Sequence, residues 1–446
     1  MAHRIGSNRL FASLLAAFGL VLATLAAPAA WAQTEIQWWH SLSGPLGEKV
    51  NDLANKFNAS QKVYKVVPTY KGNYIESMTA LLAGFPKGEA PHIVQVLEVG
   101  TASMMASKNM IVPVSKLMKD ANEPFNTNLY IPAVGGYYMD DKGTMYSFPF
   151  NSSTPLLYVN KDAFKKAGLD PNSPPKTWKE FVAAATKLKA SGSQCVYSTS
   201  WPSWIHVENF SAWHNVPMGT KDNGMAGTDT QFTFNSPLHV HHVEMLADLA
   251  KKGMFSYAGR TSQADAKFSS GECAMITASS SALAGVRRNA KFDWSANFLP
   301  YHQEAAGAPR NSIIGGASLW VISGKTNNSY KGVAQFFSFL SRPDIQADFH
   351  QGTGYMPITT AAYDATRMAG FYDKNPGSDT PVRQISNRRP TSNSKGVRFG
   401  NLVEGREVIE DELEQAFAGK KTAKAALDSA VARGNEILRK FKAANP

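Results

Sequence analysis

Three kinds of side chain in this 446-residue sequence have the type and setting for binding a ligand. The first is serine. Ser279 closes the apolar run CAMITA and opens the helical stretch after it, followed by Ser280 and Ser281. Free backbone amides, a favourable dipole and hydroxyl donors would converge there on an anion. A plain N-cap role is compatible with that one. Asn151-Ser152-Ser153 repeats the hydroxyl chemistry between two expected strands, with Ser153 the candidate contact. Gly315-Gly316 stands just before SLWVIS, where paired glycines let the amide of Gly316 approach a ligand, although a bulge explains them equally well.

The second kind is charged. Glu98 closes the apolar run HIVQVLE and is either a solvated strand end or an acceptor for ligand hydroxyls. Arg406 lies three residues before Ile409 and seven before Leu413, on the inward stripe of one helix. A guanidinium on a buried face needs an anion. A phosphate suits its planar fork; a carboxylate of the chain itself, or a stem snorkelling at the rim, are the alternatives. The third kind is aromatic. In STSWPSWIHVENFSAW, Trp201 and Trp204 sit among Ser, Thr and Pro, in an expected small-residue loop that no core obviously reaches. Trp213, beside Phe210, reads as core.

Other chemistry is poorly supported. In LHVHHVE, His239 and His242 share a helical face and His241 does not, and no nearby carboxylate or cysteine completes a ligand set. A solvated helix start is expected, with no metal. The sequence has no GxSxG, HExxH or GxxxxGK[ST], so neither a nucleophile with its base nor a cofactor is expected. Lys and Arg are scattered through a chain of formal net charge +11, two of those charges being Arg4 and Arg9. Scattered basic charge fits steering of a small anion better than nucleic acid.

The elements that must position these residues alternate. TEIQWWH, VYKVVPTY and HIVQVLE read as strands, with helices from Pro45, Tyr74 and about Thr101 between and after them. The pattern restarts after Pro149 with LLYVN, a helix capped by Thr177, another begun at Asn235-Ser236-Pro237, then CAMITA and SLWVIS. Strand–helix alternation of this kind predicts parallel-core α/β sheets. Residues 1–32 read as a cleaved signal peptide: Arg4 and Arg9, an apolar stretch to Ala27, then Ala30-Trp31-Ala32. Export to the periplasm follows, without a lipid anchor. The remaining length exceeds one ordinary core and predicts two lobes, residues 33–148 with about 312–368 and residues 149–311 with about 369–446. Cys195 and Cys273 either pair or stay free; the sequence leaves that open.

QWWHSLSGPLGEKV, VPTYKGNY, QVLEVGTASMMASK, PFNSSTP, NKDAFKKAGLDP, PPKTW, ENFSAW, IIGGASLW and TGYMPIT occur in that order. As an ordered set over residues 35–443 they resemble the maltose-binding-like extracellular solute-binding proteins of ABC importers, and among these the glycerol-3-phosphate binders. The resemblance implies a two-lobed trap with a multi-crossover hinge, working as a monomer. It implies a small-molecule ligand, sn-glycerol 3-phosphate, delivered to a membrane permease with a cytoplasmic ATPase. Carried over position by position, it implies ligand contacts at Tyr74, Glu98, Ser153, Ser279, Gly316, Tyr355 and Arg406, with Trp201 and Trp204 as an aromatic wall. A wider cleft would admit glycerophosphocholine, its quaternary ammonium held on an indole. A neutral sugar is the alternative ligand, and an exported hydrolase the alternative class. A glycosidase needs two carboxylates flanking one bond, and the sequence offers Glu98 no obvious partner.

Overall fold

The computed structural model describes Met1 and residues 33–445, so the expected signal peptide lies outside the described residues apart from Met1. Among the described residues, ten strands form two sheets. In the first, β1 (Thr34–His40), β2 (Tyr64–Tyr70), β3 (Ile93–Leu97), β10 (Gly315–Ile322) and β4 (Ile111–Val112) run in the order β2-β1-β3-β10-β4, and β5 (Phe148–Ser153) also pairs with β10. In the second the order is β7 (Cys195–Thr199), β8 (Cys273–Ser279), β6 (Pro155–Asn160), β9 (Trp294–Asn297).

Both sheets are mixed. β1 is parallel to β2 and β3, and β7 is parallel to β8, as the alternating pattern predicts. β10 runs antiparallel to its three partners, and β6 to both of its own. These antiparallel strands are the ones that follow passages between the sheets, which no local periodicity reveals. The central strands β6 and β8, and the edge strand β7, are buried at every position, as strands covered on both faces must be.

Local chemistry starts the flanking helices. Asn73 caps Tyr74–Gly84 through a capping box with Glu76, and Thr177 caps Trp178–Ala190 with Glu180. One face of the first sheet packs Ile36 and Trp38 against Val50, Phe57 and Phe336; the other packs Val94 and Trp320 against Leu81 and Met104. The second sheet buries Leu157, Tyr197 and Met275 on one side and Leu156, Tyr158 and Ile276 on the other. No helix among the described residues is long and apolar enough to cross a membrane.

The chain passes from the first sheet to the second at Thr154, a single residue between β5 and β6. It returns between β9 and β10, and there Ser312 lies beside Thr154, whose Oγ1 hydrogen-bonds Ser312 Oγ at 2.6 Å. Ser280 joins them, donating its backbone N–H to the Thr154 carbonyl. Beyond Tyr355 the chain goes back to the second sheet, where Gln384 donates to the Pro155 carbonyl at 2.6 Å. A disulfide links Cys195 and Cys273, which stand opposite each other at the starts of β7 and β8.

Three local expectations need correction. Asn151, Ser152 and Ser153 are not a connection between strands: they form the end of β5, paired with the glycines of β10. Ser279 is not the N-cap of the next helix, which begins at Ala282 after Ser281; its hydroxyl accepts from the backbone N–H of Ser281 instead. His239 and His242 are not solvated. Both face inward from the helix Pro237–Lys251, and His242 stacks on Phe210 at 4.2 Å, so only His241 is exposed.

Candidate ligand-binding site

The carboxyl ends of β3 and β8, the end of β5 and the start of β10 converge where the two sheets meet. Register explains the convergence. Ser153 faces Gly315 across the β5–β10 pair, while Pro155, two residues later, faces Ser279 across β6–β8. One short segment therefore brings hydroxyls from both sheets together. Gly316 holds φ at +92°, and a Cβ there would stand 1.8 Å from the Asn151 carbonyl oxygen. The close approach of β10 to β5 thus requires glycine, and the bulge expected at the pair lies just beyond it, at Ala317/Ser318.

Tyr74, Glu98, Ser153, Trp201, Trp204, Ser279, Gly316, Tyr355 and Arg406 all line one cavity of about 50 Å³, together with Leu97, Ser281 and Gly315. Every candidate contact named from the sequence is brought to this one place. Larger depressions lie elsewhere, such as one of about 500 Å³ between Glu48 and Lys49 on one side and Arg287 and Arg288 on the other. That one is an open groove with charged walls; the small cavity is where polar groups converge from both sheets.

The polar lining holds two unlike sets of groups, and the charge of Glu98 in one acts on Tyr74 and Tyr355 in the other. The first set is neutral hydroxyl donors. Asn151 ties them to the first sheet: its Nδ2 donates to Tyr74 Oη at 3.1 Å, and its Oδ1 accepts from Gln95 Nε2 at 2.8 Å. Tyr355 stands parallel to Phe349, their ring centroids 5.9 Å apart. Burial pushes the Tyr74 hydroxyl well up from the ordinary phenol value and raises that of Tyr355, so both remain protonated donors.

The other set is charged. Arg406 Nε donates to Glu208 Oε1 at 2.6 Å and Nη2 to Glu208 Oε2 at 2.7 Å, while Nη2 also donates to Glu98 Oε1 at 2.6 Å. Arg406 is thus paired with carboxylates of the chain itself, one of the alternatives that its place on the inward stripe leaves open. Glu208 was missed because it sits in the apolar run WIHVEN, where nothing in the spacing marks it. The helix carrying it is a π-helix, Trp204–Asn209, on which Trp204 lines the cavity and Glu208 reaches the guanidinium. It follows that Glu98 does have a carboxylate partner nearby.

Burial raises the Glu98 carboxyl pKa, against the opposing pull of Arg406. Its second oxygen, Oε2, is buried and accepts nothing from the protein. One turn along from Arg406, burial pushes Glu410 up to about 8, and its Oε1 accepts from the backbone of Ser203 at 2.8 Å.

The tryptophans differ from each other. Trp204 is 4% exposed, packs with Ile205, Trp213 and Leu299, and donates its indole N–H to the Ile314 carbonyl at 3.3 Å. It belongs to a helix and a core, not to a loop; a Cβ on Gly315 would come within 2.4 Å of its ring. Trp201 is half-buried with φ at +51°, a left-handed conformation that a bulky residue adopts only under constraint. Trp213 is core, as its setting beside Phe210 predicts.

Residues 52–378 match the family model described as bacterial extracellular solute-binding protein. The chain belongs to that family. It is 52% identical over 417 residues to the sn-glycerol-3-phosphate-binding periplasmic protein UgpB of Yersinia pseudotuberculosis, covering 93% of this chain and 95% of that one. To the protein of the same name from Escherichia coli K12 it is 53% identical over 414 residues, covering 93% and 94%. Among solved structures, UgpB from Mycobacterium tuberculosis in complex with glycerophosphocholine superposes with a TM-score of 0.76 at 22% identity, over 92% of this chain and 99% of that one. The acarbose-binding GacH receptor of Streptomyces glaucescens gives 0.75 at 16% identity, over 92% and 99%. These two likenesses establish the two-lobed binding-protein fold.

Proposed function

We propose that this protein is the periplasmic solute-binding component of an ABC importer, that it captures sn-glycerol 3-phosphate between its lobes, and that it hands the ligand to a membrane permease. The curated relatives bear that ligand in their names at 52–53% identity over almost the whole chain. The expected lobes, residues 33–148 with about 312–368 and residues 149–311 with about 369–446, would each carry one sheet, except that β5 (Phe148–Ser153) pairs with β10 of the first sheet, which moves that boundary from 149 to Thr154.

The observation that carries the reading is the mixed polar lining of the cavity, which we read as two ends. Ser153, Ser279, Ser281, Tyr74, Tyr355 and the amide of Gly316 offer donors without a carboxylate among them. Such a set suits a phosphate, whose oxygens only accept. The Glu98–Arg406–Glu208 end pairs one positive charge with two carboxylates, so a phosphate beside it would be repelled. That end suits the hydroxyls of glycerol, which can donate to Glu98 Oε2 and accept from the guanidinium. Arg406 thereby becomes an organiser of the hydroxyl end rather than the clamp on the phosphate. The face of Trp204 supports the apolar C–H side of the ligand.

Two alternatives have distinct requirements. A neutral sugar would leave the hydroxyl-rich end without its anion. A glycosidase would need Glu98 and Glu208 free to act as acid and nucleophile, whereas both are held by one guanidinium. Calorimetric titration with sn-glycerol 3-phosphate, glycerophosphocholine and maltose, followed by recovery of the ligand, tests all of these. Binding of the phosphate and its return unchanged are expected. Tighter binding of maltose, or hydrolysed ligand, would overturn the reading; tighter binding of glycerophosphocholine would move it to the diester.

A further inference from the structure

We propose that His241, His302 and Glu304 form a binding site for a divalent transition metal of the zinc class, on the outer face of the second sheet's helical cover. The site lies away from the ligand cavity and shares no residue with it. Their ligand atoms, one per residue, all lie within 4.8 Å of one another. His302 Nδ1 is 3.2 Å from Glu304 Oε1, and His241 Nε2 is 3.5 Å from the same oxygen. Ligands bonded to zinc at about 2.0–2.1 Å in a tetrahedron stand roughly 3.4 Å apart. The two distances already match that edge. His241 and Glu304 are exposed, which leaves a path for the ion and a fourth position for water, while His302 is buried and fixed.

What lies behind His302 is the second support. Its backbone N–H donates to His214 Nε2 at 2.9 Å, which holds the loop in place. Its Nε2 is 3.1 Å from His242 Nδ1; the other nitrogen of His242 is 3.1 Å from His206 Nδ1. His206 Nε2 in turn lies 3.1 Å from both Tyr197 Oη and Thr199 Oγ1. With a metal on His302 Nδ1, the ring proton sits on Nε2 and donates to His242, which donates to His206, which donates to the hydroxyls. Every neutral imidazole in the row is then satisfied in one direction. A hydrogen-bonded neighbour on the second ring nitrogen is what a metal-ligating histidine requires to fix its tautomer. The His241 and His302 rings stand 5.0 Å apart at their centroids, so both reach the same side of Glu304.

The LHVHHVE segment supplies only one ligand. The other two come about 60 residues later, in the loop after β9, so the set is invisible to local spacing. Cys195 and Cys273 are bonded to each other and offer no competing thiolate.

Titration of the tag-free mature protein with zinc, by calorimetry and by thermal unfolding, tests the site. One ion per chain is expected, with a rise in the unfolding midpoint. His241→Ala and Glu304→Ala change exposed side chains and leave the core intact. Each should weaken zinc binding by more than the roughly 10–100-fold that loss of an outer-shell partner costs, and abolish the rise in midpoint. Affinity for sn-glycerol 3-phosphate should stay unchanged in both variants, which shows that they are folded. Zinc binding that both substitutions leave intact, or no zinc binding up to millimolar concentration, would overturn the proposal.

Discussion

Arg406 grips Glu208 with two nitrogens of its fork, at 2.6 and 2.7 Å, and reaches Glu98 with one of them. All three side chains are buried or nearly so, at 12%, 2% and 5% side-chain exposure. A buried charge stripped of its partner is costly, about 3–5 kcal/mol. Arg406→Ala leaves two carboxylates facing each other, so the ligand-free protein should unfold at a markedly lower temperature. Affinity for sn-glycerol 3-phosphate should fall as well. Arg406→Lys should restore part of both, because the charge returns without the fork. An unchanged midpoint in the alanine variant would show that the triad contributes nothing to the fold.

The phosphate end should behave differently. A hydrogen bond to a charged group is worth roughly 1.5–3 kcal/mol, about tenfold or more in affinity. Ser279→Ala should therefore weaken binding of sn-glycerol 3-phosphate by at least that factor, with little change in the midpoint of the empty protein. Glycerol itself, without the phosphate, should be indifferent to the change. Equal losses for both ligands would place Ser279 at the wrong end of the cavity.

Much of this was legible in the sequence, and the reasons differ by residue. Strands such as TEIQWWH and CAMITAS carry their own periodicity or apolar run, and Thr177 carries a cap, so the elements could be placed locally. Ser153, Ser279 and Gly316 stand at element ends or glycine pairs, where ligand chemistry is plausible before any fold is known. Glu208 could not be found this way, since a π-helix inside an apolar run has no spacing signature. The inward turn of His239 and His242 also escaped, because Phe210, His206 and His302, which surround His242, come from elsewhere in the chain.

Glu410 gives the protein a pH dependence of a definite sign. Burial raises its pKa from 4.5 to about 8. The folded state then binds a proton more tightly than the unfolded state between those values. Its contribution to stability is full below about 4.5 and is lost as pH rises through about 8. Glu410→Gln keeps the acceptor for the Ser203 N–H and removes the titration. Unfolding midpoints of the two proteins should be close at pH 5, and the variant should be the more stable at pH 9. A difference that does not vary with pH would contradict the assignment.

The disulfide closes a loop with a sequence separation of 78 between adjacent parallel strands. On the chain-entropy model, a loop of that length contributes about 4.5 kcal/mol. Replacing Cys195 and Cys273 together by alanine should lower stability by an amount of that order. The bond joins the starts of β7 and β8, whereas Ser279 closes β8 at its other end, so ligand affinity should hold at temperatures where the variant is folded. A loss of affinity at such temperatures would mean that strand alignment reaches the cavity.

Trp201 and Trp204 line the same cavity but should answer substitution in opposite ways. Trp204 is buried against Trp213 and Leu299, and removing an indole from such a place costs roughly 3–5 kcal/mol. Trp204→Ala should therefore unfold early, and its weakened binding would not by itself prove contact. Trp201 is half-buried and holds φ at +51°, which costs roughly 1–3 kcal/mol for a residue of its kind. Glycine adopts that backbone without strain. In Trp201→Gly, relief of strain should offset much of the lost packing, so the midpoint should change little while ligand affinity falls and the binding-induced change in fluorescence shrinks. A clear drop in the midpoint with normal affinity would make Trp201 a packing residue and remove it from the ligand wall.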